Sequence, residues 1–165
     1  EFENFKSHYI MISSKPFDFM SIRGGLGTGN EIAYREDIPE LGERLTFNTS
    51  IEITLNDNLR IKPSINFSRL KKLDSDEYFF DGYIARLDIR YQFTNSLDFR
   101  VISEYNEFSD QFFAQPLISW RPNPDTIFYF GGNQNFVDEF VDYNSPNYRV
   151  NKSQLFMKFQ YLIKS

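Results

Sequence analysis

Strict two-residue alternation between residues 44 and 55 is the feature that most constrains how this chain can fold. The alternating sets are Leu45, Phe47, Thr49, Ile51, Ile53 and Leu55 on one side, and Arg44, Thr46, Asn48, Ser50, Glu52 and Thr54 on the other. Because successive side chains of a β-strand point to opposite faces, the pattern predicts a strand with one face in an apolar medium and the other in water. The segment is long enough for the roughly 9–11 residues with which a tilted strand crosses a bilayer.

The same alternation recurs along the rest of the chain. It is clear in the segments 59–68, 83–93, 97–105, 112–121 and 155–163. Weaker strands are predicted near 7–14 and 17–28. The segment 126–133 is apolar on both faces near its start, so the pattern does not assign its outward side. Together these segments predict about nine antiparallel strands.

The connections between these segments alternate in length. Short ones fall near 15–16, 56–58, 94–96 and 122–125, and longer polar ones at 29–42, 73–81, 106–111 and 135–152. Short periplasmic turns and long extracellular loops are typical of outer-membrane barrels. The chain is therefore predicted to be an all-β, antiparallel transmembrane β-barrel with a periplasmic C-terminus. Bacterial barrels normally have an even strand number and a signal peptide, so we expect this chain to be the last nine strands of a larger barrel.

Composition agrees with a barrel and excludes several other classes. Aromatic residues make up 18% of the chain although the mean hydropathy is only -0.49, as expected when aromatic girdles flank a polar lumen. No apolar run approaches the roughly 18 residues of a transmembrane helix. The absence of cysteine excludes disulfides and thiolate metal sites. A net charge of -5 argues against nucleic acid as a partner.

No catalytic, cofactor-binding or metal site is predicted. His8 is the only histidine, and no recognisable serine partner accompanies it. Gly24, Gly25 and Gly27 predict a bend or bulge in a strand, since no Gly-Lys-Ser/Thr follows as in a phosphate-binding loop. The acidic residues of 74–81 and 138–142 lack the spacing of a calcium-binding loop, so a solvated loop is expected.

A ladder of charged residues follows the polar face of the central strands. The candidates to line a barrel lumen are Arg60, Lys62, Arg86, Asp88, Arg90, Asp98, Arg100, Glu104 and Arg121. Two interpretations stay open. The opposite charges either pair across strands and fill a narrow lumen, or set the selectivity of a water-filled pore.

A soluble β-sandwich is the competing fold, because its strands also alternate. Leu45, Phe47, Ile51 and Ile53 would then be buried against a second sheet. Sandwich strands are usually about half as long as these segments, which favours the barrel.

Three segments carry a resemblance to a known family. The segments are YNEFSDQFFAQPLISWRPNP at 105–124, followed by TIFY at 126–129, and the closing strand LFMKFQYL at 155–162. They resemble the C-terminal barrel of uncharacterised, Bacteroidota-type outer-membrane proteins, in a family whose molecular function is not established. The resemblance implies a longer protein with a signal peptide, a family-9-like carbohydrate-binding module and then this barrel.

The final strand resembles the signal by which the outer-membrane assembly machinery recognises its substrates. The residues concerned are Phe159, Tyr161 and Ile163, although the chain does not end on an aromatic residue. The leading hypothesis is a barrel that serves as scaffold or passive channel of a surface assembly, linked to glycan handling. The alternatives are a barrel captured as substrate or subunit of an outer-membrane assembly or secretion complex, and an interfacial enzyme. Expected partners are outer-membrane lipid, lipopolysaccharide, the assembly machinery and other outer-membrane proteins.

Overall fold

The computed structural model describes residues 5–34, 39–138 and 148–163. In these ranges the chain forms nine strands, joined in chain order into one antiparallel sheet. The same ranges contain no helix long and apolar enough to span a membrane. The predicted all-β, antiparallel architecture is confirmed at this level.

Each strand pairs with the strands before and after it in the chain. The strands are β1 Ser7–Phe17, β2 Met20–Ala33, β3 Glu40–Leu55, β4 Leu59–Lys72, β5 Tyr78–Thr94, β6 Leu97–Asn106, β7 Gln111–Asn123, β8 Thr126–Asp138 and β9 Tyr148–Tyr161. Their lengths run from 10 residues in β6 to 17 in β5. Strands of globular proteins are usually about 5–6 residues long.

The pairing register divides the side chains between two faces. One row joins Leu26, Phe47, Phe67 and Tyr83 across β2 to β5, and we call the side that carries it the apolar face. The opposite side, the polar face, carries a row that includes Arg60, Arg90 and Arg100. The two alternating sets of residues predicted in each strand therefore lie on the two faces of one sheet.

Register also assigns the strand that the pattern left open. In β8, Phe128 and Phe130 pair with Phe159 and Met157 of β9, so they lie on the apolar face. Tyr129 pairs with Lys158 on the polar face.

Burial differs between the two faces. The most enclosed side chains are Leu70, Ile102 and Ser119, which are 1%, 5% and 3% exposed and lie on the polar face. On the apolar face of inner strands, Phe47 and Phe130 are 42% and 54% exposed. In the described residues no second layer packs on the sheet, so side chains are enclosed only by their neighbours in it. This difference indicates a sheet that curls toward its polar face.

The sheet is open at both sides. β1 and β9 are the edge strands, and the described residues contain no pairing between them. All residues of β1 are exposed. Each edge strand leaves one row of backbone N–H and C=O groups unpaired in the sheet.

The predicted alternation of connections is present with shorter loops. The turns 18–19, 56–58, 95–96 and 124–125 lie at one end of the sheet, and the connections 73–77 and 107–110 lie at the other. The predicted long connections at 29–42 and 135–152 fall partly outside the described residues, and the strand ends at Ala33, Glu40, Asp138 and Tyr148 lie at the same end as 73–77. The strands extend into the segments predicted as long loops. The first turn lies at 18–19 and not at 15–16, because Pro16 is accommodated in edge strand β1 where the register shifts between Ser14 and Phe17.

Side chains close the turns at the 56–58 and 124–125 positions. Asn56 has a positive φ of 56°, and its Oδ1 accepts a hydrogen bond from the backbone N–H of Asn58 at 3.1 Å. Asn123 Oδ1 accepts one from the N–H of Asp125 at 3.1 Å. This is the turn chemistry expected of Asn, which tolerates the left-handed conformation and hydrogen-bonds to nearby backbone.

Of the bend or bulge predicted at the β2 glycines, the bulge is wrong, since β2 pairs with both neighbours there without a register shift. Tyr9 of β1 lies over Gly25 and Gly27 on the polar face. A Cβ on Gly25 would contact the Tyr9 phenol ring, with Cζ at 2.8 Å, and a Cβ on Gly27 would be 2.6 Å from Thr46 Oγ1. Asn48 Nδ2 donates a hydrogen bond to Tyr9 Oη at 3.2 Å. The ring thus occupies the space that side chains would fill, as aromatic residues do over strand glycines.

We expect Gly25→Ala to lower the free energy of unfolding by about 1 kcal/mol, because the new methyl group displaces the Tyr9 ring. The matched control is Gly24→Ala, whose Cβ would face the opposite side with only a 3.7 Å contact to Asn48 O. That variant should be neutral or more stable by about 0.5 kcal/mol, since Ala is less flexible than Gly in a strand. Urea unfolding of both variants measures the difference. Equal effects would contradict the packing described for Tyr9.

Two lysines at the end of β4 bind acidic residues of the 73–77 connection. Lys71 Nζ lies 2.6 Å from Asp76 Oδ1, and Lys72 Nζ lies 2.9 Å from Glu77 Oε2. The hydrogen bond and positive charge of Lys71 lower the pKa of Asp76 below its ordinary value. Two acidic residues of the predicted segment 74–81, Asp76 and Glu77, therefore form ion pairs with the strand that precedes it.

Lys71→Met should raise the pKa of Asp76 toward the ordinary aspartate value, because it removes both the hydrogen bond and the charge. In the wild type the folded pKa lies below the unfolded one. The ion pair therefore stabilises the connection above the unfolded pKa, and this contribution is lost as pH falls through the folded pKa. An NMR titration of the Asp76 carboxyl carbon measures the change. Lys72→Met is the control, and an equal shift in that variant would refute the assignment to Lys71.

Candidate functional site

The nine charged residues predicted to line a lumen lie on one face of the sheet. The register places them on the polar face of β4 to β7: Arg60, Lys62, Arg86, Asp88, Arg90, Asp98, Arg100, Glu104 and Arg121. Four adjacent strands thus contribute to one continuous charged surface. This placement is shared by a lumen lining and by the solvated face of any antiparallel sheet.

Among the described residues, three ion pairs join these charged residues to a neighbouring strand. Arg86 Nη1 lies 3.2 Å from Glu104 Oε2, and Arg121 Nη1 lies 3.6 Å from Asp98 Oδ1. Arg60 Nε lies 3.5 Å from Glu52 Oε1 on β3. All six side chains are partly exposed, so each pair contributes at most about 1 kcal/mol. Their main effect is to fix the orientation of the side chains.

In the described ranges Lys62, Asp88, Arg90 and Arg100 form no such ion pair. Arg60 lies opposite Arg90, and Arg90 lies opposite Arg100, so three arginines form one row across β4, β5 and β6. Lys62 lies opposite Asp88 without an ion pair among the described residues. The Nε of Arg100 is buried and makes no hydrogen bond in the described ranges. The row therefore concentrates positive charge on the polar face.

A recess of about 260 Å³ lies beside this row. Its walls include Arg90, Arg100, Arg121, Asp98, Ser119 and Tyr129. It faces the same side as the ion pairs and lies toward the end of the sheet with the short turns. A second polar recess, of about 350 Å³, lies nearer the other end between Arg86, Gln111 and Asn135.

An apolar cluster on the polar face was not predicted from the sequence. Leu70 lies opposite Phe80 near the loop end, and Phe80 packs edge-on against Phe108 with ring centroids 6.1 Å apart. Leu70, Phe80, Phe108 and Ala33 line a recess of about 560 Å³. The sequence does contain a signal for this cluster. Leu70 falls on the same side of the strand as Arg60 and Lys62, so it is an apolar residue in an otherwise polar set.

Two bands of aromatic side chains cross the apolar face. The turn-side band, near the short turns, contains Tyr91, Phe93, Trp120, Phe128 and Phe159, with ring centroids of contacting pairs 4.7 to 5.3 Å apart. The loop-side band contains Tyr83, Tyr105, Phe112 and Phe136, with contacting pairs 5.9 Å apart. Both bands have members on β5, β7 and β8; the loop-side band also includes β6, and the turn-side band also includes β9.

The spacing between the bands is the same on three strands. Eight residues separate Tyr83 from Tyr91 on β5, Phe112 from Trp120 on β7, and Phe128 from Phe136 on β8. Between the bands, the apolar face of these strands carries no charged residue. Charge reappears just past the loop-side band, where Arg69 lies opposite Asp81.

The proposed C-terminal signal residues occupy different positions. Phe159 belongs to the turn-side band, and Tyr161 pairs with Thr126 on the same face. Ile163 lies beyond the end of β9, although the alternation predicted it within the strand. The strand ends there because its partner β8 begins at Thr126, and the last backbone contact is from Leu162 N–H to Asp125 O at 2.8 Å.

His8 lies on the apolar face of β1 opposite Thr28, which offers no catalytic arrangement that the structure describes. In the described ranges no three His, Cys, Asp or Glu residues converge in a way that could hold a metal ion.

Comparison with models of protein families, with curated proteins and with solved structures finds no match for this chain. The functional interpretation therefore depends on the geometry of the two faces.

Proposed function

We propose that the sheet is part of a transmembrane β-barrel of a Gram-negative-type outer membrane, where it serves as scaffold or passive channel of a surface assembly. The observation that carries this proposal is the pair of aromatic bands with an uncharged strip between them. A soluble sheet has no reason to place rings at two fixed levels on an exposed face, whereas barrels do so at the two membrane interfaces.

The spacing of the bands is close to the height of the apolar band on an outer-membrane barrel. Eight residues at a rise of about 3.3 Å correspond to roughly 27 Å along a strand. With the tilt of about 40° found in barrels, the separation normal to the membrane is roughly 20 Å, close to the apolar band of about 25 Å expected there. The large exposure of Leu155 and Met157 is then explained, since lipid covers them.

The polar face supports the proposal from the other side. Burial indicates that the sheet curls toward this face, so its charges would face a lumen when the barrel closes. The ion pairs Arg86–Glu104 and Arg121–Asp98 would span part of that lumen wall, which favours the scaffold, while the two polar recesses favour a water path. Both interpretations of the charged ladder therefore have support.

Closing the sheet requires further strands. Because nine antiparallel strands alternate in direction, β1 and β9 run the same way. Joining them directly would make a parallel pair, whereas bacterial barrels are antiparallel throughout. We infer that an odd number of additional strands lies between the two edges, as in a larger barrel of even strand number. A soluble sandwich would need a second sheet on the apolar face instead.

The orientation follows from the connections. Short turns face the periplasm in outer-membrane barrels, so the loops 34–39, 73–77, 107–110 and 139–147 would be extracellular. β9 ends beside the short turns, which makes the C-terminus periplasmic. Phe159, Tyr161 and Ile163 would then contact the assembly machinery, with lipid and lipopolysaccharide covering the apolar face. A link to glycan handling is proposed from the family resemblance alone.

The free edge of β9 favours one alternative, a barrel captured as substrate or subunit of an outer-membrane assembly or secretion complex. An unpaired edge can accept a strand from a partner through backbone hydrogen bonds. Finding a partner barrel paired with β9 would favour this alternative over the channel.

Leu87→Arg tests the proposal, because Leu87 lies on the apolar face midway between Tyr83 and Tyr91. In the full-length protein reconstituted in lipid vesicles, the arginine should lower the free energy of unfolding by roughly 2–4 kcal/mol, the cost of a charge at the bilayer midplane. Denaturant unfolding followed by tryptophan fluorescence measures it.

The matched control is Asn66→Arg, on the polar face of β4 and exposed. This variant should change stability by no more than about 1 kcal/mol, since its side chain would meet water in the lumen. A full-length protein that stays folded and monomeric in water without lipid or detergent would overturn the membrane assignment, as would equal costs for the two variants.

A further inference from the structure

Arg90 and Arg100 repel each other across β5 and β6, and no group of the sheet that the structure describes compensates this repulsion. They are direct cross-strand partners, so two positive charges face each other where side chains are closest. Like charges at such positions are destabilising. In the described ranges neither arginine has a carboxylate within ion-pairing distance, and Arg100 Nε is buried without an acceptor. The arrangement lacks a negative charge.

The recess beside the two arginines offers a place for one. Three arginines, Arg90, Arg100 and Arg121, line its volume of about 260 Å³, and the one carboxylate in the lining, Asp98, is already bound by Arg121. Ser119, which is 3% exposed, and Tyr129 add hydroxyl groups to the walls. Hydrogen-bond donors therefore outnumber acceptors in the recess.

The neighbouring strands do not cancel this charge. On β4, Arg60 is held by Glu52. On β5, Asp88 lies opposite Lys62 and makes no ion pair with Arg90 among the described residues. On β9, Lys158 lies 5.9 Å from the Tyr129 ring and adds another positive charge. The positive excess is local, because the whole chain has a net charge of -5.

We propose that Arg90 and Arg100, with Arg121, bind an oxyanion in this recess, the phosphate, sulfate or carboxylate group of a small molecule. Guanidinium groups offer planar pairs of N–H donors that match two oxygens of such an anion. A bound oxyanion would neutralise the opposed charges and give the buried Nε of Arg100 its acceptor. The inference goes beyond the proposed function, since it requires the polar face of the sheet and no particular lumen.

The test uses the full-length protein, folded in a detergent whose headgroup contains no phosphate. Inorganic phosphate is titrated into this sample at constant ionic strength. The arginine Nε–Hε NMR signals of Arg90 and Arg100 should shift and saturate. Chloride in place of phosphate should give small shifts that do not saturate. Dihexanoyl-phosphatidylglycerol distinguishes the source of the anion: tighter binding than phosphate indicates a lipid headgroup, and weaker binding indicates a free solute.

The double variant Arg90→Gln/Arg100→Gln should bind phosphate at least about tenfold more weakly, because two charge-assisted contacts are lost. Arg100→Lys keeps the charge but loses the planar donor pair, so an intermediate affinity is expected. Arg23→Gln is the control. It removes the same charge from the exposed polar face of β2, distant from the recess, and should change affinity less than about twofold.

Thermal stability provides a second readout, because the effect of phosphate is measured within each protein, relative to its own Tm in chloride. Phosphate should raise the Tm of the wild type relative to chloride, because a ligand that binds only the folded state stabilises it. Arg90→Gln should raise the Tm in chloride by removing the repulsion and should reduce the response of the Tm to phosphate. Unsaturable shifts in the wild type, or equal phosphate affinity in the double variant and Arg23→Gln, would overturn the proposal.

Discussion

The backbone hydrogen bonds between neighbouring strands are the constraint on which the rest of the structure depends. Their register decides which residues face each other, and a slip of one residue would move every side chain of a strand to the opposite face. Phe47 meets Phe67 only because β3 and β4 pair in this register, and the same pairing places Arg44 opposite Leu70. With no second layer in the described residues, there is no deep core to compensate for a wrong register.

The sequence alone was sufficient for features that repeat every two residues. The strands around Leu45–Leu55 and Leu59–Phe67 were predictable because one face is consistently apolar and the other polar. β8 was not assignable from its own residues, since its face is decided by its hydrogen bonds to β9. The bulge at the β2 glycines was wrong for a related reason: the residue that fills the space, Tyr9, lies on another strand.

The charged surface was predictable as a set of residues but not as a set of pairs. Alternation was enough to group Arg86, Arg90, Arg100 and Glu104 on one side. Whether an arginine meets a glutamate or another arginine depends on the offset between β5 and β6, which is fixed by the turn at 95–96 and the shift near Gln92. Thr94 Oγ1 accepts hydrogen bonds from the N–H groups of Ser96 and Leu97, so a hydroxyl group in the turn helps to set the offset.

The eight-residue distance between the aromatic bands has a consequence for any membrane that the proposed barrel would cross. If the bands lie at the two interfaces, the hydrocarbon layer they match is roughly 20 Å thick, whereas a typical bilayer core is about 30 Å. Such a mismatch is relieved by local thinning of the lipid, at a modest cost for each ångström. A barrel surface formed by β5 to β8 would therefore be surrounded preferentially by lipids with short acyl chains. It would also match the bacterial outer membrane, which is thinner than average.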